Sequence, residues 1–271
     1  MEIRKKSEEI IKIENLDFKY GDITILRDIN VTIDKGDFCC IIGPNGSGKT
    51  TLLKNISRIV NPNKKSIFIN GKDIRKYDNK EIATQMALVP QNTYIDFEFT
   101  VFDIVLMGRN PYINRFGKES EEDLMQVEDA MKKTNTWNLK DKNINKISGG
   151  EMQRAIIARA IAQQTDIILL DEPISHLDIN HQIEILDSLR RYSIEENKTI
   201  VMVLHDLNLA AEYSSKILML NKGQIVEKGS VDKVLTEQNV KQVYKLNFTI
   251  IKNPMTNKPL IIPFGANIGL N

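Results

Sequence analysis

Cysteine is nearly absent from this chain of 271 residues, which has only Cys39 and Cys40. As sequence neighbours they cannot bridge each other in ordinary geometry, so no disulfide framework supports the fold. They read as small core residues of a protein kept in a reducing compartment. Charge imbalance is lacking as well. The 37 basic and 36 acidic side chains leave a net charge of +1, so there is no field of the kind a nucleic-acid partner would need. No apolar run reaches the ~18 residues of a membrane span. Residues 1–9 are charged and carry no apolar secretory core. Repeats and low-complexity tracts are missing. The expectation is a soluble chain, long enough for a sizeable core, with no nucleic acid among its partners.

What is present begins with Gly43-Pro44-Asn45-Gly46-Ser47-Gly48-Lys49-Thr50. This fits the phosphate-cradling pattern GxxxxGK[ST], in which backbone N–H groups wrap phosphate oxygens. Glycines at 43, 46 and 48 let the backbone approach a ligand closely. Lys49 carries a point charge to the β- and γ-phosphates, and Thr50 offers a hydroxyl to Mg²⁺. Residues 37–42 read as a buried strand entering the loop. Leu52, Leu53, Ile56 and Ile59 recur behind it at helical spacing. Strand, loop and helix together aim a helix N-terminus at an anion. The chain is expected to bind a nucleoside triphosphate.

The surrounding pattern is α/β. Leu16, Phe18 and Tyr20 alternate, as do Ile29, Val31 and Ile33, which predicts antiparallel strands. Ile67 and Ile69 precede an Asn70-Gly71 turn. Residues 86–90 form a short buried strand stopped by Pro90. The stretch 95–163 turns helical, with Ser120 capping a helix whose stripe is Leu124, Val127, Ala130 and Met131. Strands at 167–170 and 199–204 flank a helix, as in a parallel sheet. Asn221-Lys222-Gly223 joins two further strands, and residues 246–263 are extended.

Two stretches add chemistry. Ile167–Leu170 leads into Asp171 and Glu172, where the first carboxylate can reach Mg²⁺ and the second can act as general base on an attacking water. Ser148-Gly149-Gly150-Glu151 precedes an Ala- and Ile-rich helix, either as an ordinary cap or as a second anion site.

The order of these motifs resembles that of ABC-type ATPases over residues ~12–263. The phosphate loop is followed by Gln91, Ser148-Gly149-Gly150, Asp171-Glu172, Ser175-His176-Leu177-Asp178 and His205. The family signature is Leu-Ser-Gly-Gly-Gln, and here Ile147 and Glu151 stand at its ends. The resemblance implies a P-loop NTPase core with a mixed, RecA-like sheet, an antiparallel β subdomain and an inserted helical subdomain. A single cassette over 1–263 would divide into 12–91, 92–163, 164–245 and a hairpin tail at 246–271.

The resemblance also implies roles. ATP would lie on Gly43 to Thr50 and Thr51, with Tyr20 stacked on adenine. Mg²⁺ would be held by Thr50, Gln91 and Asp171. Glu172 would be the base, His205 would touch the γ-phosphate, and Gln91 would report nucleotide state. Ser148, Gly149, Gly150 and Glu151 would bind the nucleotide of a second copy in a head-to-tail sandwich, with Asp178 crossing that interface. Gly108-Arg109-Asn110-Pro111-Tyr112 and the tail from Asn253 to Pro263 resemble importer subunits for ferric siderophores, haem and cobalamin. In that group two permease subunits dock near Gln91, an external binding protein supplies cargo, and the ATPase sits on the inner face of the membrane. Arg109 and Tyr112 are then expected to face the machinery. A non-transport ABC ATPase and an importer of an oxyanion or metal ion are the alternatives.

Overall fold

The computed structural model describes residues 8–62, 64–113 and 117–264. The expectations for residues 1–7 and for the end of the tail at 265–271 lie outside these. The chain divides into two compact units, one made of residues up to Arg75 and from Val201 onward, the other of Lys76–Ile200.

The first unit opens with two long strands, β1 (Glu9–Tyr20) and β2 (Ile23–Asp34), paired antiparallel. Ile11, Ile13, Leu16 and Phe18 of β1 are buried, with Ile29, Val31 and Ile33 of β2. The alternation slips between Ile13 and Leu16, where the register shifts and Asn15 takes φ 46°. The Asn15 N–H is satisfied there by the Asn30 side-chain oxygen at 2.8 Å, so the bulge leaves no orphan donor. Next come β3 (Phe38–Ile42), α1 (Lys49–Ile56), β4 (Ile67–Ile69) and β5 (Lys72–Asp73). The antiparallel sheet runs β2-β1-β4-β5. Asn70 and Gly71, at φ 48° and 73°, make the tight turn expected of that dipeptide.

The second unit contains α2 (Asn79–Gln85), β6 (Met86–Val89), α3 (Val101–Leu106), α4 (Glu121–Lys133), α5 (Gly149–Ala162), β7 (Ile167–Asp171) and α6 (Ile179–Glu195). β6 and β7 pair in parallel from Met86↔Ile167 to Val89↔Leu170. The division between units falls inside β8 (Thr199–Val203).

Back in the first unit are α7 (Leu207–Tyr213), β9 (Lys216–Asn221), β10 (Gln224–Gly229), α8 (Val231–Val234), α9 (Glu237–Tyr244), β11 (Phe248–Lys252) and β12 (Pro259–Pro263). Its mixed sheet follows the order β10-β9-β3-β8, with β9 parallel to β3 and antiparallel to β10. Every residue of β3, β7 and β8 is buried. Strands covered on both faces read as continuous apolar runs, and each such Ile or Leu contributes about 1.5–3 kcal/mol by leaving water. β11 and β12 form the expected C-terminal hairpin.

Two helical stripes are narrower than their spacing suggests. Ile59 lies beyond the end of α1 and is 58% exposed, because the helix stops at Ile56. In α4, Val127, Ala130 and Met131 are buried while Leu124 is 42% exposed. Cys39 and Cys40 are buried and unbridged. Burial pushes the Cys40 thiol up to about 12 and raises that of Cys39 as well, so neither is reactive.

Candidate functional site

In the first unit, β3 delivers the chain into the glycine loop and α1 starts at its far end, with Gly48 as the capping residue. Gly43 is the position that admits no substitute. Its φ is 151°, and a Cβ there would lie 2.2 Å from the Leu220 carbonyl oxygen and 2.7 Å from the Ser47 hydroxyl. The Lys49 ammonium folds back along the loop, donating to the carbonyls of Gly43 at 2.9 Å and Pro44 at 3.0 Å. This pairs a nearly buried ammonium with backbone dipoles. The Ser47 hydroxyl is buried without a hydrogen-bond partner. A narrow backbone cradle holding a cation and an unpaired hydroxyl suits a chain of phosphate oxygens. Tyr20 is 46% exposed at the end of β1, its ring 4.9 Å from that of Phe18 in an edge-to-face contact.

His205 follows β8, is exposed, and lines a 260 Å³ cavity with Asn208, Tyr244, Phe248 and Ile261. The next residue, Asp206, caps α7 by accepting the amides of Asn208 and Leu209. Tyr244, which the sequence does not flag, sits beside the Gly43 amide, and burial raises its phenol well above the ordinary range. No local pattern signals it, because the contact is made by folding α9 back some 200 residues after the loop.

The second unit holds the carboxylates. Asp171 ends β7 and is 5% exposed. Glu172 has φ 50°, a left-handed conformation that a non-glycine residue adopts at a cost of about 1–3 kcal/mol. Its carbonyl is held there by the Ser175 amide at 3.2 Å and the Ser175 hydroxyl at 2.8 Å. The Gln91 amide donates to the Glu172 carboxylate at 2.8 Å. Gln91 and Glu172, 81 positions apart, are thus brought together, a contact that the motif order by itself does not specify.

The Ser148-Gly149-Gly150 turn starts α5 with a full capping box. The Ser148 hydroxyl accepts the Glu151 amide at 3.3 Å, and the Glu151 carboxylate accepts both the Ser148 amide and its hydroxyl at 2.8 Å. Glutamate at 151 thus keeps the capping role that glutamine can also fill, and adds a charge to it. The Ser148 amide and hydroxyl hold the Glu151 carboxyl below its ordinary value. Asp178 caps α6 through the His181 amide at 3.0 Å and also meets the His181 ring nitrogen Nδ1 at 2.7 Å.

Arg109 departs from expectation. It points inward, nearly buried, bonded to Asp123 at 2.8 Å and to the Ala162 carbonyl at 2.8 Å. The Tyr112 ring lies 4.1 Å from its guanidinium, and the Tyr112 hydroxyl donates to the Gln163 carbonyl at 2.9 Å. A buried guanidinium needs a carboxylate and carbonyls around it, and α4 and α5 supply them. Arg109 therefore holds helices together from inside, while Tyr112 remains 40% exposed. Among the described residues no group of His, Cys, Asp and Glu is arranged as a metal cluster, and no helix is long and apolar enough to cross a membrane.

The ABC transporter family model matches residues 26–175. The chain is 40% identical over 254 residues to an iron(3+)-hydroxamate import ATP-binding protein of Bacillus subtilis, covering 94% of each. Its fold superposes with TM-score 0.83 on a chain of an inward-facing ABC transporter assigned to the metal-chelate type, 30% identical, covering 95% of this chain and 98% of that one. It also matches a dimeric ATP-binding cassette in a post-hydrolysis state bound to ADP and phosphate, with TM-score 0.71 and 28% identity over 82% of this chain and 98% of that one. A phosphate loop, a carboxylate strand end and a capped Ser-Gly-Gly turn in one chain, matched by relatives over almost its full length, place this protein in the ATP-binding family of ABC transporters.

Proposed function

We propose that this chain hydrolyses ATP to drive an importer of a ferric siderophore or a closely related metal chelate. The observation that carries the cargo is the 40% identity, spread over nearly the whole length, to an importer subunit for iron(3+)-hydroxamate. The metal-chelate type of the matched transporter points the same way. The chemistry is supported by the Gln91–Glu172 hydrogen bond and by the cradle around Lys49.

In this reading Gly43, Pro44, Asn45, Gly46, Ser47, Gly48, Lys49, Thr50 and Thr51 hold the ATP phosphates and Tyr20 stacks on adenine. Mg²⁺ would be held by the Thr50 hydroxyl, Asp171 and Gln91, oxygen donors of the kind this ion takes, with phosphate and water completing its shell. When bound it neutralises charge between the β- and γ-phosphates. Glu172 accepts the proton of the attacking water as the water oxygen bonds to the γ-phosphorus and the bond to the β–γ bridging oxygen breaks. His205 donates to the γ-phosphate.

Two copies assemble head to tail, and Ser148, Gly149, Gly150 and Glu151 of each meet the nucleotide held by the other, with Asp178 at the seam. The dimeric state of the matched cassette supports this assembly. Two permease subunits dock near Gln91, an external protein delivers cargo, and the ATPase works on the inner face of the membrane.

Purification of the tagged chain from native membranes in mild detergent tests the proposal. A copurifying many-helix permease whose companion binding protein takes ferric hydroxamate supports it. A soluble partner alone moves the chain to a non-transport ATPase, and a companion specific for an oxyanion or free metal ion replaces the cargo.

A further inference from the structure

His181 stands in no recognised motif, yet its ring touches two of them. Its Nδ1 lies 2.7 Å from Oδ2 of Asp178, while Oδ1 of the same carboxylate accepts the His181 amide at 3.0 Å. The backbone bond alone would cap α6, so the ring contact is additional. On its other edge the ring fills the space over Gly150. A Cβ built there would lie 2.5 Å from Cδ2, 2.8 Å from Cγ and 3.0 Å from Nε2 of His181, whereas one at Gly149 would meet nothing within 4 Å. Gly150 lies inside α5, and ordinary helical backbone does not require glycine. The imidazole is what crowds this position, and a methyl there would require the ring to shift. One turn further along, Arg154 Nη1 meets Glu184 Oε2 at 3.0 Å, so the same two helices are joined at a second rung.

We infer that His181 is a positioning residue, holding Asp178 against the Ser148-Gly149-Gly150 turn so that the two form one surface toward the second copy's nucleotide. The inference rests on the head-to-tail reading for what that surface meets. The coupling between 178, 181 and 150 rests on geometry alone. A bidentate carboxylate and a ring seated on backbone leave the loop few ways to shift without the turn. His181 itself need not touch nucleotide.

Four full-length variants test this: His181→Ala, His181→Asn, Gly150→Ala and the double variant with alanine at both positions. Asparagine can keep a side-chain N–H toward Asp178 while removing the ring. Affinity of the phosphate loop for a fluorescent ATP analogue should stay within about twofold of the parent in His181→Ala, since Asp178 and Gly150, which the ring contacts, are not part of that loop, while kcat falls about tenfold. His181→Asn should recover part of that loss. ATP-induced dimerisation, followed by size-exclusion chromatography in a Glu172→Gln background, should need more ATP when His181 is alanine.

Thermal melts complete the cycle. Gly150→Ala should lower Tm clearly when His181 is present and much less when it is alanine, the non-additivity expected of residues in contact. Parental kcat and dimerisation in His181→Ala would overturn the inference, as would equal Tm losses from Gly150→Ala in both backgrounds. A parent chain that binds no ATP would instead overturn the proposed function, and the melt cycle would still decide whether His181 couples to Gly150.

Discussion

Gln91 donates its amide hydrogen to the Glu172 carboxylate over 2.8 Å, and Glu172 itself is held at φ 50° by the Ser175 hydroxyl on its carbonyl. The proposed base is therefore placed by strained backbone and restrained by the residue proposed to report nucleotide state. A water entering between them would take over the carboxylate oxygen now bonded to Gln91.

Glu172→Gln should bind ATP with near-parental affinity but lose about 10²–10⁴-fold in turnover, the usual contribution of a positioned base. An ATP-bound dimer should accumulate on size-exclusion chromatography. Near-parental turnover in steady-state phosphate release would remove Glu172 from its role.

Lys49→Ala removes the charge from the cradle along with its bonds to the Gly43 and Pro44 carbonyls. Charge-assisted contacts to phosphate are among the stronger hydrogen bonds, so ATP affinity should fall at least ~10-fold. Equilibrium binding of labelled ATP checks this, and unchanged affinity would show that the loop does not hold phosphate.

Arg109→Ala leaves Asp123 nearly buried and without its cation. Losing one partner of a buried pair costs about 3–5 kcal/mol. Urea unfolding should show a lower midpoint at unchanged slope. Arg109→Lys should recover little, because an ammonium cannot face Asp123 and the Ala162 carbonyl as the planar fork does. Full recovery by lysine would refute the structural role.

Glu151 supplies a pH test. The Ser148 amide and hydroxyl hold its folded carboxyl below the ordinary 4.5. Its contribution to stability is therefore complete above that value and is lost as pH falls through the lower folded value. Glu151→Gln keeps the capping acceptor without the charge. The stability difference between parent and variant should be constant from pH 7 down to about 5 and then shrink toward more acidic pH. Paired melts from pH 3 to 7 check it, and a pH-independent difference would mean the carboxylate is not charged in the cap.

The motifs of the candidate site are legible in the sequence because each is local. A glycine loop between strand and helix, two acids at a strand end and a serine before a helix are each written in a few consecutive residues, and their order carries the family. Turn chemistry was legible for the same reason at Asn70-Gly71 and at Lys222-Gly223, both with positive φ. Helical stripes were less so. Spacing puts Ile59 and Leu124 on apolar faces, but whether a face is covered depends on where α1 ends and on what packs against α4.

The chain by itself determined the nucleotide chemistry, the α/β class and the family, because backbone cradles and buried strands impose residue types at short range. Only the tertiary structure decided which distant side chains meet. It turned Arg109 inward onto Asp123, laid Tyr244 beside Gly43, joined Gln91 to Glu172 and seated His181 on Gly150. Such contacts follow from how elements far apart in sequence pack, and pairing of that kind leaves no period or spacing in the sequence to read.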